Sequence, residues 1–101
     1  MNDEKILNLL GLAQRAGSIS SGDFIVEKAV KKRDAKLILL ASDCVANNEK
    51  KYIELATVHN IPLRKIAHKE ALGRAIGKEI RVVIAVHDEG FAKALLKEID
   101  Q

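Results

Sequence analysis

The chain is nearly empty of the residues that covalent, redox and metal chemistry require. With a single cysteine, Cys44, an intramolecular disulfide is excluded, and no Cys/His grouping has zinc spacing. Tryptophan is absent, and one tyrosine and two phenylalanines are the only aromatics. The core therefore has to be built from Ile, Leu, Val and Ala. One proline, Pro62, and six scattered glycines leave no Pro/Gly/Ser-rich linker, and there is no repeat or low-complexity tract. No apolar run approaches the roughly 20 residues of a membrane span. The opening Met1-Asn2-Asp3-Glu4-Lys5 lacks the basic-then-apolar pattern of a signal peptide. These absences lead to the expectation of a cytoplasmic protein, not attached to a membrane, with one domain over residues 1–101, a length that supports one core and not two.

What is present is 48% hydrophobic residues and a formal charge of +3 with a pI near 9.1. Such modest basicity points weakly to nucleic acid, and the distribution of charge matters more than its sum.

Apolar spacing predicts a helix over 3–16, with Ile6, Leu7, Leu9, Leu10 and Ala13 on one stripe and Gly17 after its end. A short extended piece over 18–21 leads to a second helix over 22–33, expected to bury Ile25, Val26, Ala29 and Val30. The continuous apolar runs at 36–41 and 81–86 fit strands covered on both faces. Between them the pattern gives a helix over 46–60, a strand over 62–66 and a short helix over 69–76 stopped by Gly77. A last helix over 91–99 follows, with Asp88 as its expected N-cap. The alternation predicts an α/β fold, a three-layer α-β-α sandwich around a small mixed sheet of about four strands.

Candidates for catalysis are thin. His59, His68 and His87 fall on separate elements, at no spacing that makes a metal site or a paired base. Cys44 follows a strand and reads as packing rather than as a nucleophile. No Walker or dinucleotide phosphate loop is present. The sequence therefore points to a protein that is not an enzyme, with no cofactor and no metal.

The basic residues are more informative. Ser21-Gly22-Asp23 runs as a Gly turn into the second helix, whose free backbone N–H groups and positive dipole end suit phosphate. Phe24, Lys28, Lys31 and Lys32 lie on the helix face left over by the apolar stripe. Arg64, Lys65, Lys69, Arg74, Lys78 and Arg81 form a second group. Converging, the two would contact several phosphates. Dispersed, they would be an ordinary solvated mixed-charge surface.

Three signatures carry a resemblance. Gly22 precedes Lys28-Ala29-Val30 by six residues. The run Ala35-Lys36-Leu37-Ile38-Leu39-Leu40-Ala41-Ser42-Asp43 follows without a gap, and Leu72-Gly73-Arg74-Ala75-Ile76-Gly77 precedes a Val-rich strand. Over roughly residues 17–87 the chain resembles the L7Ae/L30e ribosomal protein superfamily, whose members bind kink-turn RNA. The opening 9–17 and the ending 88–92 look most like its small ribosomal protein-like paralogues of Gram-positive bacteria. The resemblance implies an α-β-α sandwich without catalytic activity or a required metal. It also implies structured RNA as partner, a kink-turn and ribosomal, with ribosomal or translation proteins as further partners. The small closed sandwich is expected to be a monomer.

In that superfamily a Gly-x-Asn-Glu run reads sheared G·A pairs, and a lysine four residues after the Asn holds backbone. Here Gly22 and Lys28 match in place, but Phe24 and Ile25 stand at the reading positions, where neither can hydrogen-bond to a base edge; Asp23, beside the Asn position, would compensate only with the turn rearranged. Phe24 has two roles open to it: stacking on an unpaired base, or packing against the first helix. Lys78, Glu79, Ile80 and Arg81 match the superfamily's second contact loop, Lys69 a phosphate contact, and Val45 a further contact position. Ile80 is open equally to ordinary core packing. The same face, with base reading lost, would alternatively suit a protein-docking module on a ribosome or translation factor.

Overall fold

The two continuous apolar runs become the two central strands, because each is covered by helices on both sides. In a computed structural model that describes residues 3–101, the elements in order are α1 (Asp3–Arg15), β1 (Ile19–Ser21), α2 (Asp23–Lys31), β2 (Leu37–Leu40), α3 (Ala46–His59), β3 (Leu63–Lys65), α4 (Lys69–Ala75), β4 (Val83–Val86) and α5 (Glu89–Ile99). Met1 and Asn2 lie outside the described residues. The strands form one mixed sheet in the order β1-β4-β2-β3, with β2 parallel to β3 and β4 antiparallel to both β1 and β2.

Strand periodicity sorts the core into two halves. Leu37 and Leu39 of β2, with Ile84 and Val86 of β4, pack against Ile6 and Leu10 of α1, Leu72 of α4 and Leu95 of α5. Ile38, Leu40, Val83 and Ala85 face the other way, onto Val26 and Val30 of α2 and Tyr52 and Ala56 of α3. The result is the expected three-layer α/β sandwich around a four-stranded mixed sheet.

Element ends differ from the periodicity by one or two residues. Arg81 leaves the expected strand because its N–H donates to the Lys69 carbonyl at 3.0 Å, so β4 begins only at Val83. Asp88 caps α5 as its chemistry predicts, accepting from the Phe91 N–H at 2.8 Å, and the helix accordingly starts at Glu89. One burial expectation is overturned: Ile25 is 55% exposed. The nine-residue α2 buries Val26, Ala29 and Val30, one position and its i+3 and i+4 neighbours. Ile25 sits about 100° around the helix from Val26 and falls off that stripe.

Candidate nucleic-acid interface

Strand direction gathers the candidate residues. β1, β2 and β3 run the same way and β4 runs against them, so the carboxyl ends of the first three and the start of β4 share one rim of the sheet. From this rim Gly22 leads into α2, Val45 into α3 and His68 into α4, while Ile80 and Arg81 return to β4. The carboxyl ends of strands are where open α/β sheets bind ligands.

Gly22 takes φ 97°, a conformation that suits glycine, and its N–H donates to the Val83 carbonyl at 3.2 Å. This locks the first turn of α2 against the start of β4. No side chain caps α2, and the first N–H with a helical acceptor is that of Val26, to Gly22. On the other side of the rim, Asp43 accepts from the Lys69 N–H at 3.0 Å and so caps α4 from a distant loop. Gly73 makes the last close approach. A Cβ there would lie 2.6 Å from the Glu79 carbonyl oxygen and 2.7 Å from the Ile80 nitrogen, so only glycine lets the 79–80 loop rest on α4.

Four large apolar side chains stand out at this rim: Phe24 at 80% exposure, Val45 at 65%, Ile25 at 55% and Ile80 at 47%. Exposure decides the two open roles. Phe24 does not pack against the first helix, and Ile80 is not core.

The charges around these apolar groups fall into two sets. Three carboxylates are paired within the protein, whereas Glu70 and Glu79 are exposed and have no partner among the described residues. Lys51 of α3 pairs with Asp23 at 3.0 Å and with Glu27 at 2.6 Å, and Lys31 pairs with Glu27 at 2.8 Å. The Tyr52 hydroxyl donates to both the carbonyl and the carboxylate of Asp23. The Tyr52 hydroxyl, and after it the Lys51 ammonium, hold the Asp23 carboxyl below the usual range. Lys31 and Lys51 bring Glu27 down to about 2. Glu27 and Asp23 in turn raise Lys51, while burial and Asp23 raise the Tyr52 hydroxyl. Glu49, at the start of α3, is paired with Lys65 at 3.0 Å. By contrast, the side chains of Lys28, Lys69 and Lys78 have no partner among the described residues.

Not every predicted residue joins the rim as a free cation. Lys31 is committed to Glu27, and Lys32, the C-cap of α2, lies about 12 Å along the helix axis from Phe24. Arg81 is at the rim but half-buried, donating from Nε to Ser21 Oγ at 2.9 Å and from Nη1 to the Ile80 carbonyl at 2.7 Å. It pins the loop to β1 and leaves Nη2 without a protein acceptor. The second basic group splits: Arg64, on the edge strand, pairs with Asp100 at 2.8 Å, and Lys65 is held by Glu49. Asp23 faces Lys51 and Tyr52 rather than standing free.

The tie between α2 and α3 was not anticipated from the sequence. Its one signal is Tyr52, the only tyrosine, on the apolar stripe of α3: a buried tyrosine needs a partner for its hydroxyl.

Grooves of 530, 680 and 460 Å³ run between α1 and α4 and around the C-terminal end of α3, and none of the three includes Phe24, Ile25, Val45 or Ile80. Cys44 is half-buried against both core clusters, its thiol raised chiefly by burial. His87 is a structural pin, 2.5 Å from Ser20 Oγ and 3.1 Å from the Asp34 carbonyl. Among the described residues no three His, Cys, Asp or Glu side chains group as a metal site, and no helix is long and apolar enough to cross a membrane.

Known proteins resemble this chain in sequence and in fold. The chain is 44% identical over 92 residues to the RNA-binding protein YlxQ of Bacillus subtilis strain 168, covering 91% of this chain and 92% of that one. It is 32% identical over 92 residues to the RNA-binding protein YlxQ of Enterococcus faecium, covering 91% and 88%. A solved structure of a Bacillus halodurans C protein of unknown function superposes with a TM-score of 0.93 at 41% identity, over 96% of this chain and 98% of that one. The Giardia lamblia 15.5kD RNA binding protein shares the fold, with a TM-score of 0.79 at 24% identity, over 98% and 87%. Residues 4–96 match the ribosomal protein L7Ae/L30e/S12e/Gadd45 family, and the chain belongs to that family.

Proposed function

We propose that this protein binds structured RNA without catalysis, with kink-turn RNA as its target, as a ribosome-associated monomer in the cytoplasm. The observation that carries this is the charge division at the rim. Asp23, Glu27 and Glu49 are paired within the protein, while Lys28 on α2, Lys69 at the start of α4 and Lys78 in the loop after it have no partner among the described residues. With Glu70 and Glu79 set against Lys28, Lys69, Lys78 and the free Nη2 of Arg81, the balance of unpaired charge is positive, which favours a polyanion and gives salt-dependent affinity. A rim with exposed apolar side chains among lysines, outside the grooves, also fits a nucleic acid better than a small molecule that needs a cleft. The RNA-binding names of the two YlxQ relatives support the same choice.

Phe24 and Ile25 supply no base-edge hydrogen bonds, so selectivity on this reading comes from backbone shape. Calorimetric titration into a kink-turn RNA, beside the same RNA with its sheared G·A pairs made Watson–Crick, tests it. The expected result is a clear preference for the kinked RNA that weakens steeply with salt. Equal affinity for both would remove the kink-turn target, and no binding at low salt would remove RNA altogether and favour protein docking.

A further inference from the structure

The most exposed large apolar side chain of the described residues sits where a nucleic-acid ligand would arrive. Phe24 is 80% exposed on the first turn of α2, and it is one of only three aromatic residues in the chain. An isolated exposed apolar residue needs no explanation, but this one shares its rim with Ile25, Val45 and Ile80. Nothing in the fold uses the ring: it belongs to neither core cluster and makes no cation contact.

The surroundings decide what would cover it. A protein surface could bring carboxylates to Lys28, Lys69 and Lys78, but charged side chains are depleted from the apolar centre of such an interface, where Phe24 would lie. A nucleotide brings both an apolar face and an anion. Aromatic rings among unpaired cations are the arrangement by which proteins hold unpaired bases, since every base has a π-face and the backbone phosphate finds the lysines. The first turn that presents the ring is also held rigid. Tyr52 and Lys51 fix Asp23, and Gly22 is bonded to Val83, so Phe24 is offered from a fixed backbone.

We infer that Phe24 is a stacking platform for an unpaired nucleobase extruded from the bulge of a kinked RNA, with Ile25, Val45 and Ile80 forming the apolar ground around it. This rests on the RNA reading above and replaces base-edge recognition by a contact tolerant of base identity. Discrimination then comes from whether a base is extruded, not from which base it is.

The test is a double-mutant cycle on two RNAs: a kink-turn RNA, and the same bulged RNA with its G·A pairs made Watson–Crick. In each, bulge nucleotides are replaced one at a time by abasic riboses. With the unsubstituted protein, one abasic position is expected to lower affinity ten-fold or more. With Phe24→Ala that loss should shrink to less than two-fold, and with Phe24→Trp it should persist. Phe24→Leu, apolar but without a π-face, should behave as Phe24→Ala. Because the chain has no tryptophan, Phe24→Trp also introduces a single indole, whose emission should be quenched by the intact bulge and not by the abasic one.

Equal abasic losses in the unsubstituted and Phe24→Ala proteins would overturn the platform while leaving RNA binding intact. Wild-type affinity with Phe24→Leu would overturn it too, since plain apolar contact would then suffice. A coupling seen on both RNAs without preference for the kinked one would sustain the platform and remove the kink-turn target. Absence of binding to either RNA would sink both proposals.

Discussion

Tyr52→Phe isolates one bond of the α2–α3 tie. The ring of Tyr52 is fully buried, and phenylalanine fills the same space, so the substitution removes the hydroxyl and little else. That hydroxyl donates to the Asp23 carbonyl at 2.8 Å and to its carboxylate. A hydrogen bond to a charged group contributes roughly 1.5–3 kcal/mol net. Asp23 is 56% exposed at its side chain and keeps Lys51, so water and the ammonium recover part of the loss. We therefore expect destabilisation of about 1 kcal/mol at pH 7, a fall in Tm of roughly 4–8 °C for a domain of this size.

The pH dependence separates this bond from a mere packing defect. The folded-state carboxyl of Asp23 is held below its ordinary 3.8, by the Tyr52 hydroxyl first and Lys51 second. A depressed carboxyl contributes stability that is present above its ordinary pKa and lost as pH falls through the folded value. The gap between the two proteins should thus be widest near neutrality and narrow toward pH 3. Glu27, brought to about 2 by Lys31 and Lys51, is common to both proteins and cancels. Urea unfolding followed by circular dichroism at pH 7 and pH 3 reads both quantities. A gap under about 0.3 kcal/mol at pH 7, or one that does not change with pH, would refute the reasoning, because surface bonds of no consequence behave that way.

Other substitutions test other parts of the rim. Lys28→Ala should weaken binding to matched and mismatched RNA alike and reduce the salt slope of log K by about one, measured by titration at several salt concentrations. Gly73→Ala gains about 1 kcal/mol of helix propensity, but its Cβ would meet three backbone atoms of Glu79 and Ile80 within 2.7 Å, and such overpacking costs roughly 1–3 kcal/mol. Net destabilisation of up to about 2 kcal/mol in urea unfolding, with weaker RNA binding as the Ile80 loop shifts, is the expected outcome. Val45→Thr places a hydroxyl at an N-cap with φ −71° and ψ 153°, where it can accept from the first turn of α3. Stability should rise by roughly 0.5–1 kcal/mol while RNA affinity falls.

The layers were legible because strands covered on both faces leave an unmistakable mark. Leu37–Leu40 and Val83–Val86 are continuous apolar runs, and each proved a central strand buried at every position. Asp88 announced its helix by cap chemistry that acts over three residues. What the sequence did not reveal depends on partners far apart in the chain. Arg64 and Lys65 counted as free cations until their mates were known, Asp100 and Glu49, 36 and 16 residues away. Ile25 was misplaced for a different reason. In a nine-residue helix, three buried positions exhaust the inward face, and an apolar residue beside them is as consistent with the edge as with the core. The family pattern located the rim; only geometry separated Lys28, Lys69 and Lys78 from cations already spent.

What stabilises the rim poorly supports the proposal that it is a working surface. Helices α2, α3 and α4 all begin there, on Gly22, Val45 and His68, and none of these side chains caps its helix. Helix α5 begins at the opposite end of the sheet, after the carboxyl end of β4, and is capped by Asp88. A good cap is worth about 1 kcal/mol; glycine at Gly22 forgoes only a few tenths of it, whereas Val45 and His68 forgo most of it in a domain of about 100 residues. Only α4 recovers it, through Asp43. The same rim exposes Phe24, Ile25, Val45 and Ile80 to water. A fold optimised for stability alone would place Ser, Thr or Asp at positions 45 and 68, where the backbone is extended, and polar residues beside all three starts. The residues found there instead leave backbone donors and apolar faces open on one side of the molecule. Binding an RNA backbone and an extruded base is the single occupancy proposed here that would use both at once.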